Sequence, residues 1–113
     1  MSKKELPNLI RTSESLNIEW KPSLSQVNEI IETISAFSNT EGGKIIIGVS
    51  KSGKLLGVEV GKDTIENLTN QISQNTDPKV HPRITTEKIK GKSIIIIEVN
   101  PVRDKQVLCF ITM

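Results

Sequence analysis

Two short apolar runs constrain this chain more than any other feature of its sequence. Residues 45–49 read Ile-Ile-Ile-Gly-Val, and residues 94–97 are four consecutive isoleucines. Short runs of β-branched residues without polar alternation are typical of strands that are covered on both faces. The sequence therefore predicts a sheet that contains residues 45–49 and 93–99 as buried strands.

Two segments with helical spacing of apolar residues accompany these strands. Ser23 precedes Gln26 by three residues, the arrangement of a helix N-terminus. The helix predicted after it buries Val27, Ile30, Ile31, Ile34 and Phe37. Asp63 and Glu66 repeat the capping arrangement and predict a second helix that ends at about Asn75.

The remaining strands follow from alternation and turn residues. Residues 16–21 alternate apolar and polar side chains, residues 55–60 return from a turn at 51–53, and residues 83–89 form a hairpin with 93–99. Residues 107–111 are a further candidate strand. Two helices against one mixed sheet predict a two-layer α+β domain over residues 13–113, preceded by an arm at 1–12.

The totals limit the possible functions. A chain of 113 residues with 35% hydrophobic content supports one domain. The single cysteine, Cys109, and the single histidine, His81, exclude a structural zinc site, and we expect no metal. No apolar run reaches the roughly 20 residues of a membrane span, so we expect a cytoplasmic protein without a membrane partner. With three aromatic residues, any nucleic-acid binding is expected to involve mainly phosphates.

The glycine pair Gly42-Gly43 lies between the first helix and the strand at 45–49. A phosphate-binding loop needs the opposite order, strand then helix, because the amides at a helix N-terminus attract the anion. Here the adjacent helix terminus is the partly negative C-terminus. We therefore interpret both glycines as structural.

Two glutamates and a lysine form a second candidate site. Glu19 and Lys21 share the polar face of the first strand, and Glu14 lies at its start. Paired carboxylates can hold Mg²⁺ for phosphodiester cleavage. The alternative is a solvated strand face, which composition alone favours.

Lysines cluster near the predicted turns. As phosphate contacts we predict Lys21, Lys44, Lys51, Lys54, Lys88, Lys90 and Lys92. Lysines at turns and sheet edges also oppose aggregation, so the pattern alone does not decide between the two roles.

Several motifs together resemble the Schlafen AlbA-like domain family. They are Glu14-Ser15 followed by Glu19-Trp20-Lys21, residues 36–43 (AFSNTEGG), Ile47-Gly48-Val49, Gly57-Val58 and the segment 72–78. The resemblance implies an Alba-like two-layer fold, a homodimer, and nucleic-acid (DNA or RNA) binding by a transcriptional regulator. Members commonly continue into a further region, so we expect the domain to be truncated at its C-terminal end.

The resemblance also bears on catalysis. In nuclease-competent relatives three acidic residues act together; the first two match Glu14 and Glu19, whereas Ser50 and Lys51 stand where the third acid is expected. This departure argues for binding without cleavage and without a cofactor.

Three alternatives stay open. The first is an Mg²⁺- or Mn²⁺-dependent ribonuclease in which Glu59 or Asp63 replaces the lost acid. The second is an ATP-binding regulatory domain, and the third is a dimerisation domain. Asn39 and Thr40, at the helix-to-strand crossing, are further candidates for a polar site near the glutamates.

Overall fold

The computed structural model describes residues 17–102 and 107–109. The predicted arm at 1–12, Glu14, and residues 110–111 of the predicted last strand lie outside this range. The described elements are, in order, β1 (Ile18–Lys21), α1 (Val27–Ser38), β2 (Gly43–Ile47), α2 (Thr64–Gln74), β3 (Thr76–Asp77), β4 (Arg83–Ile89), β5 (Lys92–Val99) and β6 (Leu108–Cys109).

The two isoleucine-rich strands form the centre of a four-stranded sheet with the order β1-β2-β5-β4. β1 runs parallel to β2, and the other neighbours are antiparallel. Within these two strands, the isoleucines with no exposed surface are Ile45, Ile46 and Ile47 of β2 and Ile94, Ile95 and Ile97 of β5. The prediction of an α+β fold with these two strands buried is confirmed.

Alternation along the central strands divides the core into two clusters. Ile45, Ile47 and Ile95 pack with residues of both helices, including Ile34 of α1 and Ile72 of α2. The opposite side chains of β2 and β5 form a second cluster with Trp20, Val49 and Leu55. The two described helices therefore cover the same face of the sheet, and neither has the length and hydropathy needed to cross a bilayer.

α1 begins later than its capping motif predicts, whereas α2 begins at Thr64, directly after Asp63, as predicted. α1 begins at Val27, because the Ser23 hydroxyl accepts a hydrogen bond from the Ser25 amide and closes a turn outside the helix. At the start of α2 the Thr64 hydroxyl accepts a hydrogen bond from the Gly61 amide, while the Asp63 side chain makes no capping bond.

The predicted strand at residues 55–60 is wrong. Of these residues, only Leu55 forms a β-bridge, and this is an isolated bridge to Val49. The amides of Leu56 and Gly57 both donate to the carbonyl of Gly48, and the Val58 amide then donates to Ser93. After this one pair, residues 56–58 leave the end of β2 and run to the start of β5.

The end of the described chain returns to the helical face. Val107 is buried, and Leu108–Cys109 pair antiparallel with Thr76–Asp77 in a separate two-stranded sheet. The first part of the strand predicted at 107–111 is therefore present. Its partner β3 was not predicted, because two residues after a helix carry no periodicity.

Candidate nucleic-acid interface

The strand register brings three loops to one end of the sheet. Lys21 at the end of β1 lies opposite Ile47 at the end of β2, and Ile47 lies opposite Ile95 near the start of β5. The turn at 50–54, the crossing segment 56–61 and the β4–β5 turn therefore lie at this end. We call residues 50–54, 56–61 and 88–92 the basic end.

Five of the seven predicted lysines are exposed at the basic end. They are Lys51 and Lys54 in the first loop and Lys88, Lys90 and Lys92 in the β4–β5 hairpin. Their separation in sequence conceals their proximity, which results from the antiparallel pairing of β2 with β5.

A wide groove of about 670 Å³ runs through the basic end. Residues 56–61 form one wall, and Lys88, Gly91, Lys92 and Ser93 form the other. Glu59 is the acidic residue of this lining. Apart from Glu59, a candidate acid of the ribonuclease alternative, the segment 56–61 was not predicted as part of a site, although Gly57 and Gly61, which expose backbone, are a signal that could have indicated it.

Lys44 does not join this group. It lies near the start of β2, opposite Ile18 and Glu98, at the other end of the sheet. Its Nζ lies 4.0 Å from a carboxylate oxygen of Glu98. Lys44 is therefore separated from the other predicted contacts by the length of the strand.

Lys21 is buried in an ion-pair network between β1 and α1. Its Nζ lies 2.9 Å from Glu19 Oε2 and 3.4 Å from Glu29 Oε1, and Lys21 is only 5% exposed. The Thr33 hydroxyl donates to Glu19 Oε2 at 3.1 Å. The prediction of Lys21 as a phosphate contact is therefore not supported, because two carboxylates already surround its ammonium.

Glu29 and Thr33 are the members of this network that sequence reasoning missed. They lie four residues apart on α1, so both face the same side of the helix as it passes β1. Their i, i+4 spacing next to the apolar stripe is the signal that could have identified them.

The electrostatics of the network favour charged side chains. Burial raises the pKa of Glu19, but this is outweighed by the hydrogen bond and charge of Lys21, the hydroxyl of Thr33 and the charge of Lys51, so the pKa is lowered. Burial lowers the pKa of Lys21, but Glu19 and Glu29 outweigh it, so the pKa is raised. Lys51, the residue at the expected third acidic position, thus acts on Glu19 as a nearby cation.

The described residues do not form a metal site. They contain no group of three or more His, Cys, Asp or Glu side chains that could hold an ion. Within the described range, Glu59 and Asp63 therefore do not complete a carboxylate cluster with Glu19. The Lys21 ammonium already lies 2.9 Å from Oε2 of Glu19, where it would oppose a second cation.

We expect this network to make stability depend on pH in two ranges. The lowered pKa of Glu19 stabilises the fold above the ordinary value of 4.5, and this contribution is lost as the pH falls through the lowered pKa. The raised pKa of Lys21 stabilises the fold below 10.5, and this contribution is lost as the pH rises through the raised pKa. In urea denaturation, Glu19→Gln should cost about 1 kcal/mol at about pH 7 and less at about pH 3. An equal cost at both pH values would contradict the ionic role of Glu19.

The side chains of Asn39 and Thr40 bond to backbone groups. The Asn39 side chain accepts a hydrogen bond from the Val107 amide at 2.7 Å and donates one to the Val107 carbonyl at 3.0 Å. Ser35 donates to the same carbonyl at 3.1 Å. The Thr40 hydroxyl bonds to carbonyls of the last helical turn. The described bonds of these two side chains thus go to backbone groups, and a polar site at Asn39 and Thr40 stays a prediction.

Asn39→Ala should release Val107 from α1. It removes both side-chain bonds to the backbone of a buried residue, so we expect a loss of about 2 kcal/mol in the free energy of unfolding. Amide hydrogen exchange at Val107 should accelerate more than exchange in β5. Asn39→Asp keeps the acceptor but loses the donor, and should give an intermediate loss. Unchanged exchange at Val107 in Asn39→Ala would contradict this role.

Comparison with known proteins identifies the domain. Residues 14–111 match the family model described as Schlafen, AlbA_2. The chain belongs to this family. The resemblance inferred from the glutamate, glycine and Ile-Gly-Val motifs is therefore confirmed.

Two solved structures share the fold of this AlbA_2 domain. The solution structure of the N-terminal domain of a Nitrosomonas europaea protein, related to the ATP-dependent DNA helicase RecG, is similar with a TM-score of 0.76 and 21% identity, over 99% of this chain and 82% of that one. The crystal structure of the Corynebacterium diphtheriae protein DIP2311 is similar with a TM-score of 0.67 and 20% identity, over 85% of this chain. The match spans only 20% of the DIP2311 chain.

Proposed function

We propose that this AlbA_2 domain binds nucleic acid through the phosphate backbone, using the basic end, and does not cleave it. The observation that carries the proposal is the convergence of Lys51, Lys54, Lys88, Lys90 and Lys92 at one end of the sheet. Exposed ammonium groups that share one surface neutralise phosphates and release condensed counterions. A domain of the same fold in a helicase-related protein agrees with this role, although a fold alone does not determine an activity.

Backbone contact is favoured over base stacking because aromatic side chains are not accessible in the described part of the chain. Trp20 and Phe37 are 6% and 7% exposed and belong to the two core clusters. A platform for single-stranded bases needs exposed rings. We therefore expect little sequence preference and stronger binding to duplexes than to single strands.

Binding without cleavage is favoured by the cations around Glu19. Lys21 contacts its carboxylate directly, and Lys51 lowers its pKa through charge. Both ammonium groups oppose the approach of a divalent cation. In this role the acid-to-lysine exchange at residue 51 adds a phosphate contact in place of a metal ligand.

The test is fluorescence-anisotropy binding to a short DNA duplex, its single strand and a structured RNA at several salt concentrations with Mg²⁺ present. Each substrate is then examined on a gel. We expect binding that weakens steeply with salt and leaves every substrate intact. Absence of binding at low salt would refute the proposal, and Mg²⁺-dependent cleavage that Glu19→Gln abolishes would replace it with a nuclease.

A substitution at Lys90 should change nucleic-acid affinity and stability in opposite directions. Lys90 and Gly91 both have positive φ, 53° and 79°, in the two-residue turn between Ile89 and Lys92. Asparagine fits such a turn better than lysine, so Lys90→Asn should raise the free energy of unfolding by about 0.5 kcal/mol. It should weaken duplex binding severalfold, because one ammonium group is lost. Urea denaturation and anisotropy measure the two effects, and unchanged affinity would exclude Lys90 from the interface.

A further inference from the structure

β4 is an exposed edge strand whose protection is limited to its charged side chains, Arg83, Glu87 and Lys88. It spans seven residues, lies at the end of the described sheet and is largely solvent-exposed. Between Arg83 and Ile89 it contains neither proline nor glycine. Edge strands of this length are normally shortened, bulged or interrupted by proline, because their free backbone groups pair with other strands.

The two-residue turn determines which backbone groups of β4 are free. Residues that flank such a turn form a hydrogen-bonded pair, and hydrogen-bonded and non-hydrogen-bonded pairs alternate from there. Since Ile89 faces Lys92 across the turn, the residues bonded to β5 are the odd-numbered ones. The amides and carbonyls of Ile84, Thr86 and Lys88 therefore point away from the sheet.

We propose that β4 pairs antiparallel with β4 of a second copy of this chain, in the register centred on Thr85. Ile84 then exchanges hydrogen bonds with Thr86 of the second copy, and both residues present outward groups. Of the registers that bring outward groups face to face, this one alone places Arg83 opposite Glu87. Arg83, Thr85 and Glu87 share one side of the strand. The two-fold axis thus creates two Arg83–Glu87 pairs across closely spaced, non-hydrogen-bonded positions.

The same register limits the contact and keeps the basic ends free. It places Lys88 opposite Pro82 of the second copy, and proline has no amide hydrogen to continue the ladder. The pairing therefore ends before Lys90. The two hairpin turns lie at opposite ends of the continuous sheet, so dimerisation leaves Lys90 and Lys92 of both copies accessible, and Lys88 lies at the border of the contact. An edge contact of this size predicts a weak dimer.

Sedimentation equilibrium of the 113-residue chain tests this pairing. We expect a reversible monomer–dimer equilibrium whose dissociation constant rises at least about tenfold in Arg83→Glu and in Glu87→Arg, because each change creates two like-charge pairs. The double variant Arg83→Glu/Glu87→Arg restores opposite charges and should return to within about threefold of the parent. Circular dichroism checks that each variant is folded, since Arg83 also lies opposite Glu98 in its own sheet.

A second variant tests the backbone pairing independently of charge. Thr86→Pro removes an outward amide and leaves the bonds between β4 and β5 in place, so it should abolish the dimer in a folded protein. A chain that stays monomeric at about millimolar concentration would overturn the proposal. So would a dimer that Thr86→Pro leaves intact, or charge reversals that the double variant does not rescue.

Discussion

Replacing Gly42 by alanine is expected to remove about 3 kcal/mol from the free energy of unfolding. Gly42 follows α1 with φ of 82°, and its amide donates to the Phe37 carbonyl at 2.9 Å. A Cβ at this position would lie 2.5 Å from the Val99 carbonyl oxygen and 3.1 Å from Pro101 Cδ. The nearer contact is backbone of the central strand β5, so neither side can move away cheaply.

Gly91→Ala is the matched control for this substitution. Gly91 has nearly the same φ, 79°, but a Cβ there would meet no atom within 4 Å. It should therefore cost only the backbone strain, about 1 kcal/mol. Urea denaturation of both variants separates strain from overlap. Similar losses in the two proteins would show that the contact with Val99 contributes nothing.

The second large effect is expected from the hairpin lysines. Replacing Lys88, Lys90 and Lys92 together by glutamine should lower duplex affinity by one to two orders of magnitude at low salt, because about three counterions are no longer released. The slope of log K against log salt should decrease in magnitude by about 2 to 3. Anisotropy titrations at four or so salt concentrations measure this slope.

Lys44→Gln is the control for position. Lys44 carries the same charge but lies at the opposite end of the sheet beside Glu98. Its replacement should leave the salt slope almost unchanged. An equal reduction of the salt slope in both variants would mean that binding depends on the net charge of the protein and not on the basic end.

The isoleucine runs were sufficient to predict the centre of the fold. A strand without polar alternation buries all of its apolar side chains only where both of its faces are covered. Residues 45–47 and 94–97 are buried on both faces of the sheet in this way. Prediction failed at residues 55–60, which have strand-like composition. The backbone amides of residues 56–58 donate to the Gly48 and Ser93 carbonyls, and no local sequence pattern indicates these acceptors.

The candidate site was predictable in its members but not in its arrangement. The lysines were visible as separate turn clusters, and only the pairing of β2 with β5 joins them and excludes Lys44. The burial of Lys21 could not be read from β1 alone, because strand alternation shows a polar face without showing what covers it. Glu29 and Thr33 of α1 cover that face.

The most direct test of the account is a ¹H–¹⁵N NMR titration of the protein with a short DNA duplex at low salt. Binding at the basic end predicts shifts in the amides of residues 50–54, 56–61 and 88–92, which disappear as salt is raised. The resonances of amides near Lys44 and Glu98, at the other end of the strands, should not shift. Shifts centred on that opposite end, or no shifts at all, would contradict the proposed interface.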